Sequence, residues 1–154
     1  MKNYQITEWC ADFIRRQVKE GDLCIDATMG NGNDTLLLSL LCAQTGRVLA
    51  FDIQQQALDA TREKLILAKA PENYTLILDS HANMASYASP DSVSCIVFNF
   101  GYLPGSDHTL ATRSESSIQA LSQSLTLLKK GGLLSLCIYS GGDTGFEERD
   151  QILM

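Results

Sequence analysis

The sequence predicts an α/β fold with a doubly wound, mostly parallel sheet. Five short apolar runs alternate with helical patterns along the chain, and continuous apolar runs are typical of strands that are buried on both faces. Each run ends at or beside a polar residue, and a glycine-rich loop joins the first run to a helix. Because parallel strands end at the same edge of a sheet, we expect these polar residues and the loop to share one crevice.

The composition predicts a single globular domain that spans residues 1–154. Apolar residues make up 45% of the chain and charged residues 19%, which is an ordinary balance for a folded domain. The net charge of −6 disfavours non-specific binding to nucleic acid, because that affinity comes from neutralising phosphates. It does not exclude an RNA substrate that is held in a locally basic or neutral cleft.

Membrane and metal partners are not expected. The N-terminus lacks the apolar segment of a signal peptide, and no apolar run reaches membrane-spanning length, so we expect a cytoplasmic protein. The five cysteines show no C-x-x-C spacing and only two histidines are present. We therefore expect the cysteines to be small buried residues and expect no metal site.

A helix is predicted at the start of the chain, because apolar residues recur there at helical spacing on one face. These residues are Ile6, Trp9, Cys10, Phe13, Ile14 and Val18. The apolar run 23–27 is the first predicted strand, 29–33 is a loop rich in glycine and asparagine, and 34–43 is a second helix. This helix is apolar over most of its surface, so we expect it to be well buried.

The next predicted unit is strand, helix, strand. The second strand covers 48–51 and ends at Asp52, and the third covers 74–78 and ends at Asp79. A helix between them is stopped by Pro71. Its apolar positions are Ala57, Leu58, Thr61, Leu65 and Ala68.

The fourth strand covers 93–98 and ends at Asn99. The pattern at 112–115 is a capping box that opens a helix at Thr112, and the helix is closed by the Lys-Lys-Gly-Gly segment at 129–132. The side chains expected to face inward are Ile118, Leu121, Leu125 and Leu128. The fifth strand then covers 133–138 and ends at Tyr139.

The glycine loop at 26–35 favours one ligand class over two others. A P-loop needs a lysine at the helix start, where this chain has Asn33, Asp34 and Thr35. A dinucleotide loop needs a third small residue where Thr35 stands, and Asp34 would place a carboxylate beside a phosphate. S-adenosylmethionine (SAM) carries an ammonium, a sulfonium and a ribose diol but no phosphate, so an acidic loop suits it. Gly30 and Gly32 would let such a ligand approach the backbone.

Three strand-end carboxylates take the predicted roles. We expect Asp26 to anchor the methionine end of SAM, directly or through water. Asp52, which lies 20 residues after Gly32, is expected to accept the ribose hydroxyls, and Asp79 to bind the adenine amino group. Asp34 is expected to cap its helix rather than to contact ligand. The predicted cofactor-binding set is Asp26, Thr28, Gly30, Asn31, Gly32, Asn33, Asp34, Thr35, Asp52, Ile53, Gln54, Asp79, Ser80, His81 and Asn99.

Five strings of residues carry a family resemblance. They are D-A-T-M-G-N-G-N-D-T at 26–35, F-D-I-Q at 51–54, D-S-H at 79–81, F-N-F-G-Y-L-P-G at 98–105 and L-K-K-G-G-L-L at 128–134. Together they resemble the YtqB/MnmM family of class I SAM-dependent methyltransferases, which is also described as a family of rRNA methylases. The resemblance implies a Rossmann-like fold, SAM as cofactor and the anticodon region of tRNA as partner. The implied reaction is methylation of the exocyclic amine of 5-aminomethyl-uridine, or its 2-thio form, at the wobble position.

The segment 99–105 corresponds in place to the Asn/Asp-Pro-Pro-aromatic loop of amine methyltransferases, which orients the target nitrogen. The match is partial, because Phe100 and Gly101 stand where the family of loops has prolines. We expect Asn99 and Tyr102 to be catalytic. The predicted substrate contacts are Tyr102, Pro104, His108, Arg113 and Tyr139.

A complete class I methyltransferase continues beyond the fifth strand with a helix and two more strands, whereas this sequence stops at Met154. We therefore expect a C-terminally shortened domain with an exposed apolar edge at the fifth strand, and low stability or a homodimer that covers this edge. Three other functions stay open. They are an rRNA or small-molecule N- or O-methyltransferase, a non-catalytic SAM-binding module, and a nicotinamide-dependent oxidoreductase, which Thr35 and Asp34 disfavour.

Overall fold

The computed structural model describes residues 4–100 and 110–138, with side chains described for 8–100 and 115–137. The elements along the chain are α1 (Tyr4–Gln17), β1 (Leu23–Asp26), α2 (Asn33–Cys42), β2 (Arg47–Asp52), α3 (Gln55–Leu67), β3 (Tyr74–Leu78), a 3-10 helix (His81–Ser86), β4 (Val93–Phe100), α4 (Leu110–Leu127) and β5 (Leu128–Ile138). In the part of the chain that is described, no helix is both long and apolar enough to cross a membrane.

The strands form one parallel sheet in the order β3-β2-β1-β4-β5. The direction of the strand order reverses between β1 and β4, so the loops that follow these two strands flank the reversal point. In open α/β sheets this is the place where ligands bind. The predicted doubly wound parallel fold is confirmed. Within the described residues β5 is an outer strand, as expected.

The sheet is buried on both faces, which explains why its strands read as continuous apolar runs. Ile25, Leu49 and Ile96 pack on the face that is covered by the 3-10 helix and α4. The residue before each of them points to the opposite face and packs against α1 and α2. These preceding residues are Cys24, Val48 and Cys95.

The cysteines are free, and four of the five are buried. The sulfurs of Cys24 and Cys42 lie 3.6 Å apart in the core between β1 and α2, and burial raises the pKa of Cys95 to about 12. Cys24, Cys42 and Cys95 are buried in the apolar core and act as small apolar residues, as predicted. Among the described residues no group of three or more potential ligands could hold a metal ion.

The predicted inner face of α1 is only half right. Ile14 and Val18 are buried, but Trp9 is 64% and Phe13 is 58% exposed. The stripe that meets the sheet runs through Cys10, Ile14 and Val18, at i, i+4 and i+8. Trp9 and Phe13 lie about 100° away from it around the helix, so they face outward. The side chain of Ile6 lies outside the described residues.

The predicted inner face of α4 is only half right, because Leu121 and Leu128 pack against the core but Ile118 and Leu125 do not. Leu125 is 72% and Ile118 is 45% exposed, whereas the buried positions are Ser117, Ala120, Ser124 and Leu127. These small residues let α4 approach the 3-10 helix closely, and Gln123 joins the two helices by accepting a hydrogen bond from the Ala85 N–H at 2.9 Å. Close packing on this short helix, rather than the largest apolar stripe, therefore sets the rotation of α4.

Both predicted ends of α4 also need correction. The helix begins at Leu110, so Thr112 lies inside it rather than at a cap. The segment 129–132 belongs to β5 instead of closing the helix. Val93 pairs with Leu128 and Cys95 pairs with Leu133, so the Lys-Lys-Gly-Gly segment is accommodated as an irregularity of the sheet register.

Candidate active site

The glycine loop is held from inside by Asp26. Its carboxylate accepts a hydrogen bond from the Thr28 N–H at 3.2 Å and one from the Thr35 hydroxyl at 2.6 Å. The side chains of Asp26 and Thr35 have no exposed surface, so both act on the shape of the loop. Burial and then the nearby carboxylate of Asp34 raise the pKa of Asp26 to about 7.

The two glycines of the loop serve different purposes. Gly32 has a φ of 87°, and a Cβ there would lie 2.7 Å from the hydroxyl oxygen of Thr61. Its missing side chain therefore lets α3 pack on the loop, where the Thr61 hydroxyl donates to the carbonyl of Gly30 at 3.2 Å. Gly30 is exposed, and a Cβ there would meet nothing closer than 3.8 Å. The loop is thus open to a ligand at Gly30 and closed at Gly32.

Asp52 lies at the end of β2, and two exposed aliphatic residues are its neighbours in the chain and in the sheet. Its carboxylate accepts hydrogen bonds from the backbone N–H groups of Gly30 at 3.1 Å and Gln54 at 3.0 Å. Ile53 follows Asp52 in the chain and is 71% exposed. Leu78, which is the register partner of Asp52 on β3, is 53% exposed. A carboxylate next to two exposed aliphatic side chains can bind a sugar diol and an apolar ring together. Sequence reasoning missed Leu78, because an apolar residue at a strand end gives no signal of its exposure.

Asp79 organises the turn that follows β3. Its carboxylate accepts hydrogen bonds from Asn83 at 2.8 Å, the Tyr87 hydroxyl at 2.7 Å and the Ser80 N–H at 2.7 Å. These donors hold the pKa of Asp79 below its usual value. The Ser80 hydroxyl accepts from the Ala82 N–H at 3.0 Å and so caps the 3-10 helix.

His81 ties the 3-10 helix to the end of β1. Its Nδ1 lies 2.9 Å from the carbonyl oxygen of Ala27, and a carbonyl can only accept, so Nδ1 carries the proton. Its ring packs against Phe98 and Phe100, with centroid distances of 5.6 Å and 6.1 Å. Burial lowers the pKa of His81, so the ring is neutral at physiological pH.

Asn99 joins β4 to the glycine loop and to α2. Its backbone N–H donates to the hydroxyl of Thr28 at 2.7 Å, and its Nδ2 donates to the carboxylate of Asp34. Its Oδ1 is buried and has no hydrogen-bond partner in the described part of the chain. The expected capping role of Asp34 is wrong, because the N-cap is Gly32 and no side chain caps α2. Since β4 extends to Phe100, it brings the Asn99 amide to Asp34 instead.

The remaining predicted residues divide into two groups. Asn31, Asn33 and Gln54 are exposed near the loop, and Asn33 accepts a hydrogen bond from Lys64 of α3. Tyr102, Pro104, His108 and Tyr139 lie outside the described residues, and so does the side chain of Arg113, which belongs to α4. The structure therefore brings together the polar ends of β1, β2, β3 and β4, as the parallel sheet requires.

Comparison with known families identifies the family of this chain. A model of the family described as "Putative rRNA methylase" matches residues 48–154. The chain belongs to this family. The sequence resemblance to this group of methyltransferases is thereby confirmed.

A curated relative in Arabidopsis thaliana is named "tRNA (mnm(5)s(2)U34)-methyltransferase, chloroplastic". The two proteins are 36% identical over 146 residues, which is 88% of this chain and 53% of the relative. This member of the rRNA methylase family therefore spans about half the length of the curated relative that it matches.

Solved structures of similar proteins share the fold. A crystal structure described as a "putative rRNA-methylase" from Clostridium thermocellum is 47% identical, with a TM-score of 0.88 over 99% of this chain and 81% of that chain. A "putative methyltransferase" from Streptococcus mutans, solved in complex with SAH, is 38% identical, with a TM-score of 0.82 over 99% of this chain and 80% of that chain. The fold is that of the class I SAM-dependent methyltransferases.

Proposed function

We propose that the protein is a SAM-dependent RNA methyltransferase that N-methylates the 5-aminomethyl group of uridine, or of 2-thiouridine, at the wobble position of tRNA. The observation that carries this proposal is that Oδ1 of Asn99, at the strand-order reversal, has no hydrogen-bond partner among the residues the structure describes. An amide oxygen in this place can accept an N–H of a target amine and so direct the nitrogen lone pair. The name of the Arabidopsis relative supports the choice of substrate.

The residues present fit SAM. The loop is open at Gly30, and the carboxylate of Asp52 can accept hydrogen bonds from the ribose hydroxyl groups. The exposed side chains of Ile53 and Leu78 offer apolar surface for adenine. When bound, SAM supplies a methyl group on a positively charged sulfur. Asp26 then contributes through the shape of the loop, and through its place among carboxylates that favour a cation over a phosphate.

The other predicted cofactor contacts have positioning roles in this proposal. Thr28 and Thr35 hold the loop, while Asp79, Ser80 and His81 hold the turn after β3. Asn31, Asn33 and Gln54 stay available at the exposed side of the cleft. The aminomethyl group attacks as the free amine, because a protonated amine has no lone pair.

The partner in this proposal is the anticodon region of tRNA. The proposed substrate contacts are Tyr102, Pro104, His108, Arg113 and Tyr139, with Tyr102 catalytic beside Asn99. We further propose a cytoplasmic, single-domain protein that forms a homodimer over the β5 edge. An rRNA substrate is the second candidate function, because the description of the family names rRNA.

The test is methyl transfer from labelled SAM to three RNAs. They are tRNA from cells that lack the final methyl group, the same tRNA as an unmodified transcript, and ribosomal RNA. We expect label only in the first, because the transcript and the rRNA have no aminomethyl group at a wobble uridine. Equal labelling of tRNA and transcript would contradict an amine target, and preferential labelling of rRNA would favour the second candidate.

A further inference from the structure

The orientation of the Asn99 amide is set by Asp34. An ionised carboxylate only accepts hydrogen bonds, so Nδ2 must face Asp34 and Oδ1 must face away from it. The backbone N–H of Asn99 is held separately by the Thr28 hydroxyl at 2.7 Å. Both anchors leave Oδ1 unused, and a buried acceptor without a partner is costly. The arrangement therefore keeps one acceptor in a defined position for a donor that residues 4–100 and 110–138 do not supply.

Asp34 has no cation beside it among the described residues that face it. The titratable described residues that face Asp34 are Asp26 on β1, Cys95 on β4, Cys137 on β5 and Cys10 on α1. Cys10 lines a small cavity together with Asp34. Burial raises the pKa of Cys95 and of Cys137 to about 12, so these two thiols are uncharged at neutral pH, and Asp26 is itself a carboxylic acid. Among the side chains that the structure describes, the negative charge of Asp34 is thus met only by the Asn99 amide. A carboxylate in this state stabilises positive charge that appears on the far side of that amide.

We propose that Asp34 is a positioning residue for methyl transfer, which holds Oδ1 of Asn99 toward the target amine and stabilises the positive charge that develops on its nitrogen. This inference rests on the proposed function and deepens it. The amine nitrogen forms a bond to the methyl carbon while the carbon–sulfur bond breaks and its electron pair goes to sulfur. Positive charge moves from sulfur to nitrogen, and the nitrogen then loses a proton to water. Asp34 lies behind the atom that gains charge, so its effect is larger in the transition state than in the ground state.

The first test uses Asp34→Asn, which keeps the shape and an acceptor for Asn99 but removes the charge. We expect kcat on hypomodified tRNA to fall about tenfold to a hundredfold, with SAH affinity within about twofold of wild type by calorimetry. Asp34→Glu should recover part of kcat because it restores the charge. Asp59→Asn, on the exposed surface of α3, is the matched control and should behave as wild type.

The pH profile separates this role from a merely structural one. Burial raises the pKa of Asp34, and a protonated Asp34 can donate to Oδ1, which would turn the amide. We therefore expect kcat of the wild type to fall as pH decreases through that raised pKa. Asp34→Asn should lose the part of the acidic limb that residue 34 causes, because residue 34 then no longer titrates, and should keep only the fall that protonation of the target amine causes in both proteins.

An NMR measurement makes the inference testable without RNA. The side-chain amide protons of Asn99, assigned by their absence in Asn99→Ala, should move in Asp34→Asn and not in Asp59→Asn. Unmoved Asn99 signals in Asp34→Asn, or a kcat and pH profile equal to those of the wild type, would overturn the role of Asp34. The proposed function would still stand in that case, provided that the wild type labels the hypomodified tRNA. A wild type that labels none of the RNAs would instead overturn the proposed function and with it the role of Asp34 in methyl transfer, while the NMR signals would still show whether Asp34 orients the Asn99 amide.

Discussion

The carboxylate of Asp26 and the hydroxyl of Thr35 form a hydrogen bond of 2.6 Å, although neither side chain has any exposed surface. The bond joins the last residue of β1 to the first turn of α2. It therefore closes the glycine loop at its base, and the open side of the loop at Gly30 depends on it.

Removing the hydroxyl of Thr35 should destabilise the fold. In Thr35→Val the buried Asp26 carboxylate loses a donor, and we expect the free energy of unfolding to fall by about 1–3 kcal/mol. The measurement is urea unfolding followed by circular dichroism. The matched control is Thr75→Val, which loses one hydrogen bond from the exposed Arg47 and should change stability by less than about 0.5 kcal/mol. Equal effects of the two substitutions would show that the Asp26–Thr35 bond contributes little.

Asp26 should make stability decrease with pH over a defined interval. Its pKa in the folded state is raised to about 7 by burial and by Asp34, above an unfolded value of about 4. The folded protein thus binds more protons than the unfolded chain between these values, so this group's contribution to stability is lost as pH rises from about 4 to about 7. The free energy of unfolding of Asp26→Asn, minus that of the wild type, should therefore be larger at pH 7.5 than at pH 5. A stability difference that is the same at both pH values would contradict the raised pKa.

A side chain at Gly32 should lower the free energy of unfolding more than a side chain at a matched glycine. In Gly32→Ala a Cβ would lie 2.7 Å from the Thr61 hydroxyl oxygen at a φ of 87°, whereas at Gly131 the φ is 81° and nothing lies within 4 Å. Both substitutions carry the backbone cost of about 1–2 kcal/mol, and Gly32→Ala adds overpacking of about 1–3 kcal/mol. Thermal or urea unfolding measures the difference. If Gly131→Ala were as destabilising as Gly32→Ala, contact with α3 would not be the reason for this glycine.

Asp52→Ala should weaken cofactor binding. The carboxylate accepts a hydrogen bond from the Gly30 N–H, and the next residue, Ile53, is exposed. Loss of a charged hydrogen bond to a sugar hydroxyl costs about 1–3 kcal/mol. Calorimetry with SAH measures the change in affinity, and Asp59→Ala serves as the control on exposed α3. Unchanged SAH affinity in Asp52→Ala would remove Asp52 from the proposed site.

Tyr87→Phe should raise the pKa of Asp79. The Tyr87 hydroxyl is one of three donors that hold this pKa below its usual value, after Asn83 in importance. Loss of one donor to the charged form makes protonation easier, so the carboxyl should titrate at a higher pH. NMR titration of the Asp79 carboxyl group measures this shift, and an unshifted titration would show that the hydroxyl does not donate to Asp79 in solution.

The strands were predictable because they are buried on both faces and run parallel. The sequence placed Asp52 and Asp79 at the ends of their strands, and the structure brings both to the same edge of the sheet. The faces of α1 and α4 were not predictable in full. Trp9 and Leu125 fit a helical stripe as well as the buried residues do, and only the neighbours of a helix decide which stripe is covered.

By itself the sequence determined the alternation of helices and strands, the glycine loop and the polar ends of the strands, since these follow from local periodicity and residue chemistry. Only the tertiary structure decided what the polar residues do. Asp34 has the sequence position of a cap but bonds to Asn99, because β4 lies beside β1 and extends over the start of α2. Such a contact joins residues that are 65 positions apart, and local sequence patterns carry no information about distances across the fold.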